Sequence, residues 1–116
     1  MFIEKKHDEI ELLSFFESEP VSFERDNISY LYTAKDEKGV VIDFSFSAVE
    51  GWIQYAIKLD GNELVHNSID GVSSFSIKND KSGEYLFTEI IANGVITKVV
   101  IRVKPYISAI SSSLII

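Results

Sequence analysis

Six glycines, at positions 39, 51, 61, 71, 83 and 94, fall at intervals of 12, 10, 10, 12 and 11 residues, and apolar-alternating segments fill almost every gap. Regular turn residues separating short segments of period two are the signature of antiparallel strands joined as a meander. Asp26-Asn27 lies one interval before the series and Pro105 one interval after it, so the spacing governs most of the chain. It predicts a mainly β, α+β fold: an antiparallel meander of about eight strands over residues 21–116, forming a curved sheet or half-barrel. With every glycine used in a turn, none is left for a phosphate-cradling loop.

The first segment differs in period. Asp8 is placed to cap a helix over residues 8–18 that carries Ile10, Leu13 and Phe16 on one stripe, widened by Leu12 and Phe15, with Pro20 ending it. Its apolar stripe should cover an open end or one face of the sheet. At 116 residues the chain is expected to form one domain, 1–116, that buries a substantial core without covalent staples. It has no cysteine, so neither a disulfide frame nor a thiolate metal site is available. The longest apolar run is far short of the ~20 residues a helical span requires. A soluble, cytoplasmic protein that does not engage membranes is the expectation.

Turn chemistry predicts register. With Asp60-Gly61 as a two-residue hairpin turn, Lys58 faces Glu63, Ile57 faces Leu64 and Tyr55 faces His66. With Asp70-Gly71 as the next, Ile69 faces Val72, Glu63 faces Lys78 and His66 faces Phe75, so Lys58, Glu63 and Lys78 make a three-strand charge ladder. Asn93-Gly94 sets Glu89 opposite Lys98, Tyr85 opposite Arg102, Leu86 opposite Ile101 and Thr88 opposite Val99. This register assigns Ile53, Tyr55, Ile57, Leu59, Leu64, His66, Phe75 and Ile77 to the core face, with Val40, Ile42, Phe44 and Phe46 beside them. An apolar group near Trp52, on the other face, is either the bed for the helix or a binding patch.

Chemical motifs are few. His7 and His66 lack metal-ligand spacing, and His66 reads as a core or cavity histidine rather than a base. No Gly-x-Ser-x-Gly elbow exists among the fifteen serines. The stretch Asp80-Lys81-Ser82-Gly83-Glu84 lacks the alternating acids of a calcium loop and reads as a hairpin turn. No cofactor or metal is expected, and no enzymatic activity.

Charge is more informative. Residues 1–26 hold eight acids against three bases, a balance of −5, within a net charge of −7 for the whole chain. Nucleic acid and anionic membranes need a basic footprint, so both are disfavoured and a basic partner is favoured. Tyr85 and Phe87 share a face with Lys98 and Arg102, a grouping suited to a protein interface.

The segments Gly39-Val40-Val41-Ile42-Asp43-Phe44-Ser45-Phe46, Glu50-Gly51-Trp52-Ile53 and Asp80 through Tyr85, within an acidic chain of repeated hairpins, resemble bacterial immunity proteins of contact-dependent growth inhibition and related polymorphic toxin systems. The resemblance extends over about residues 28–90. It implies tight binding to the toxic C-terminal domain of a cognate effector, often a nuclease, whose active site or substrate access is blocked. On that reading Glu9, Glu11, Glu17, Glu19 and Glu24 form an electrostatic rim, with Trp52, Tyr85 and Arg102 as anchors. A second reading is a small apolar-ligand carrier of lipocalin or fatty-acid-binding type, with Phe44, Tyr55 and His66 lining a cavity.

Overall fold

The structure is a computed structural model that describes residues 9–115 and the side chains of residues 11–115; the Asp8 cap and the orientation of Glu9 and Ile10 fall outside them. One helix, α1 (Glu9–Phe16), precedes nine strands: β1 (Ser22–Glu24), β2 (Ser29–Lys35), β3 (Val40–Ser47), β4 (Trp52–Leu59), β5 (Asn62–Asp70), β6 (Ser76–Asp80), β7 (Gly83–Ala92), β8 (Val95–Arg102) and β9 (Ser108–Ile115). The mainly β, antiparallel prediction holds. The strands form two sheets rather than one continuous meander, ordered β1-β2-β3-β4-β5 and β6-β7-β8-β9.

The two hairpin turns predicted from Asp-Gly and Asn-Gly behave as those residues require. Asp60 and Gly61 have φ of 51° and 79°, and Asn93 and Gly94 have 54° and 74°. Two successive left-handed residues make a type I′ turn, whose twist matches that of the flanking strands. After the second turn the register is as read: Glu89 faces Lys98, Thr88 faces Val99 and Leu86 faces Ile101.

Two register expectations are corrected. Beyond Lys58 and Glu63 a β-bulge at Leu64 moves the pairing by one, so Ile57 faces Val65, Ala56 faces His66 and Tyr55 faces Asn67. The extra residue inverts the faces beyond it. His66 therefore stands on the solvent side, with Nδ1 3.3 Å from Glu63 Oε1, and Leu59 and Leu64 are exposed too rather than in the core. The second correction is Asp70-Gly71, which is no hairpin. Val72 and Phe75 are both buried, at a spacing of three that one face of a strand cannot provide. They draw the chain from the first sheet to the second, so the Lys58–Glu63–Lys78 ladder is not formed, and Lys58 instead pairs with Asp43 at 2.8 Å.

The core lies between the inner faces. Across the first sheet, Tyr32, Phe44 and Tyr55 make one row, and Tyr30, Phe46, Ile53 and Ile69 the next. The second sheet contributes Leu86, Ile90, Val99 and Ile101. Phe75, on the crossover, seats its ring edge-on against Phe44 at 6.0 Å and Phe46 at 5.0 Å. The Thr88 hydroxyl, buried among these groups, donates to the Ser74 carbonyl at 2.6 Å and fixes the crossover.

Helix α1 closes one side by burying Leu12, Phe15 and Phe16, while Leu13 is exposed. Phe16 stacks on Tyr32 at 5.0 Å and on Phe44 at 5.7 Å. The helix bed is thus the inner face of β2 and β3, not the surface around Trp52. Removing each of these three side chains from water contributes about 1.5–3 kcal/mol, enough to hold a helix too short to persist alone. The same rings fill the space that a lipocalin-type carrier would keep open, and the sheets do not close into a barrel. Among the described residues no helix is long and apolar enough to cross a membrane.

Candidate functional site

Antiparallel connections alternate between the two ends of their strands. The β2–β3 turn, the β6–β7 turn and the β8–β9 loop meet at one end, where the last turn of α1 joins them.

Asp36 organises the β2–β3 side. Its Oδ1 accepts the backbone N–H groups of Lys38 (2.9 Å) and Val40 (3.0 Å), closing the turn, and its Oδ2 accepts that of Ile107 (2.9 Å), 71 residues away at the start of β9. Desolvation pushes the Asp36 carboxyl upward, but the hydrogen bonds from Ile107, Val40 and Lys38 outweigh it and hold the group below its ordinary value. Lys38 Nζ sits 4.3 Å from the Tyr106 ring centre and makes a second link between the same loops.

Arg102 braces the opposite wall. Its guanidinium bonds both Asp80 oxygens, at 3.2 and 2.5 Å, while Asp80 Oδ1 also accepts the Ser82 amide at 2.8 Å. The Arg102 hydrogen bond is the main reason that the Asp80 carboxyl lies below its ordinary value. Lys104 joins the helix end through Glu17 Oε1 at 2.7 Å.

Between these walls lies a cleft of about 440 Å³. Phe15, Val103 and Pro105 give it an apolar floor, and Glu37, Glu84 and Lys104 stand on its rim. Glu37 and Glu84 are exposed, and among the described residues neither carboxylate has an ion-pair partner. The cleft is therefore electronegative around an apolar base.

The predicted anchors separate. Tyr85 and Arg102 lie together on the outer face of the second sheet, 4.8 Å from ring centre to guanidinium, next to Lys78 above the Phe87 ring at 4.4 Å. That face also exposes Ile91, Ile110 and Leu114. Trp52 lies at the far end of β3 from the cleft, donating from Nε1 to Glu50 at 3.1 Å. Asn27 donates to the same Glu50 oxygen at 2.7 Å, and these two bonds hold the Glu50 carboxyl below its ordinary value. Of the predicted acids, Glu11, Glu17, Glu19 and Glu24 are exposed. Glu17 belongs to the cleft end through Lys104, whereas Glu24, facing Ser29 and through it Ser47, sits at the Trp52 end. They do not line up as one rim.

Glu37 and Lys104 were not singled out in the sequence, and Glu84 was read only as part of a hairpin turn. Each stands in or beside a turn, and the signal that unites them is the alternation of turns between the two ends, which needs the two-sheet topology to be counted correctly.

No protein-family model matches the chain, and no match was found among curated proteins. The chain is similar to a solved chain of a contact-dependent growth inhibition toxin–immunity protein complex from Klebsiella pneumoniae 342, at 66% identity and a TM-score of 0.96, over 98% of this chain and 100% of that one.

Proposed function

This chain belongs to the immunity proteins of contact-dependent growth inhibition, and on that premise we propose that it binds the toxic C-terminal domain of a cognate effector and neutralises it by covering its active site or excluding its substrate. The single observation that carries this reading is the full-length similarity to a chain from a toxin–immunity complex. The toxin domain is basic and acts as a nuclease. A net charge of −7 supports that assignment, since a cleft built for phosphate backbones attracts an acidic protein and the attraction raises the association rate.

Occlusion needs affinity and no turnover, so this chain acts without catalysis, metal or cofactor. The contact draws on the exposed acids Glu11, Glu17, Glu19 and Glu24 and on Glu9, and on Trp52 and Tyr85 as aromatic anchors. Arg102, already bonded to Asp80, contributes by holding the β6–β7 turn in place. Protein meeting toxin in the cytoplasm is the setting in which such binding protects a cell.

The test is co-expression with the cognate toxin domain, followed by calorimetry on the purified pair and a nuclease assay with and without this chain. Growth rescue, one-to-one binding and loss of nuclease activity are expected. Failure of the purified chain to bind the toxin domain refutes the reading.

A further inference from the structure

The cleft at the helix end has a construction that a merely acidic surface lacks. Its floor is hydrocarbon, from Phe15, Val103 and Pro105. The carboxylates lining it, Glu37 and Glu84, have no ion-pair partner among the described residues, whereas Lys104 is held by Glu17. The lining thus carries two acids against one base, and that base is already paired with Glu17 from outside the lining. Its walls are braced from behind: Asp36 ties the turn bearing Glu37 to the start of β9, and Arg102 ties the turn preceding Glu84 to β8. Two exposed carboxylates without an ion-pair partner among the described residues are thus presented over an apolar base by turns that are fixed before any partner arrives.

We propose that this cleft receives an arginine side chain of the toxin domain, its aliphatic stem on Phe15, Val103 and Pro105 and its guanidinium between Glu37 and Glu84. Arginine suits both halves. It joins a long apolar stem to a weakly hydrated cation with five donors in a rigid fork, and it is among the residues most often found as interface anchors. A lysine presents a compact, strongly hydrated charge and fits the apolar base less well. The inference rests on the reading that this chain binds a basic toxin domain, and it names where the central contact lies.

The experiment measures the Kd of the wild-type chain and of the Glu37→Gln/Glu84→Gln variant for the cognate toxin domain across a salt series. Both positions are exposed, so the variant is expected to keep its melting temperature. The expected result is binding weakened by about 10- to 100-fold at low salt, with the difference narrowing as salt rises. Equal Kd values for variant and wild type overturn the proposal. Should the wild-type chain not bind the toxin at all, the immunity reading fails by itself, and the cleft is then decided by titrating the isotope-labelled chain with N-acetyl-arginine amide. Shifts of the Glu37, Gly83, Glu84 and Val103 amides that N-acetyl-norleucine amide does not produce uphold the arginine site, and their absence overturns it.

Discussion

Asp36 is the residue whose removal most directly tests how the cleft end is held. Its carboxylate accepts three backbone N–H groups, from Lys38, Val40 and Ile107. A hydrogen bond to a charged group contributes about 1.5–3 kcal/mol when shielded, less where water can replace the acceptor. The Lys38 bond is exposed and counts for little, whereas those to Val40 and Ile107 are partly buried. Allowing about 1–1.5 kcal/mol for each of the latter, Asp36→Ala costs about 2–3 kcal/mol. At roughly 4 °C per kcal/mol that lowers Tm by about 8–12 °C. Asp36→Asn can keep the Oδ1 bonds but turns an NH₂ group toward the Ile107 N–H, so about half of the loss remains. Urea unfolding gives the energies, and amide exchange at Ile107 reports the broken link. Because the folded carboxyl sits below its ordinary value of 3.8, its stabilisation is complete above the unfolded value and is lost as pH falls through the folded one. The gap between wild type and either variant therefore closes as pH drops below 3.8. An Asp36→Ala protein within about 0.5 kcal/mol of wild type at neutral pH refutes this account, since surface changes without a structural role fall in that range.

Three further outcomes follow from the packing and charge. Phe44, fully buried against Phe16, Phe46 and Phe75, should cost about 3–5 kcal/mol as Phe44→Ala and under about 1.5 as Phe44→Leu in the same unfolding assay. Reversing Glu11, Glu19 and Glu24 to lysine should slow association with the toxin domain about tenfold at low salt and little at high salt, read by stopped-flow fluorescence. Ile110→Lys with Leu114→Lys, on two side chains that are 62% and 67% exposed, should leave stability within about 0.5 kcal/mol in the same unfolding assay.

What was legible in the sequence was local. The spacing of six glycines placed the turns, and Asn93-Gly94 fixed a register that holds over most of β7 and β8. Phe44, Phe46 and Ile53 were assigned to the core because alternation within one strand requires no knowledge of its neighbours. The errors began where one residue changed parity. Leu64 is extra in β5, which no turn signal marks, and it carried His66 from core to solvent. Asp70-Gly71 offers the same dipeptide as Asp60-Gly61 and the same positive φ at its glycine. Asp60 is left-handed as a type I′ turn requires and Asp70 is not; in the sequence, the three-residue separation of Val72 and Phe75 is what marks a crossover rather than a hairpin. Acidity was read as a property of the first 26 residues, yet the cleft carboxylates without an ion-pair partner among the described residues are Glu37 and Glu84, brought together by topology.

Because each sheet is built from consecutive strands, no strand of the first sheet waits for a sequence-distant partner. By the time residue 70 has left the ribosome, β1 through β5 have all their neighbours, and short-range pairing of this kind is kinetically favoured. Helix α1 precedes them and covers the Tyr32 and Phe44 side of their inner aromatic face, but the rest of the cover comes with the 40 residues of β6 through β9. The chain thus divides its assembly into an early stage of local pairing and a late stage in which the second sheet docks onto Phe44, Phe46 and Phe75. Variants that weaken that docking are expected to release a half-folded first sheet rather than a wholly unfolded chain.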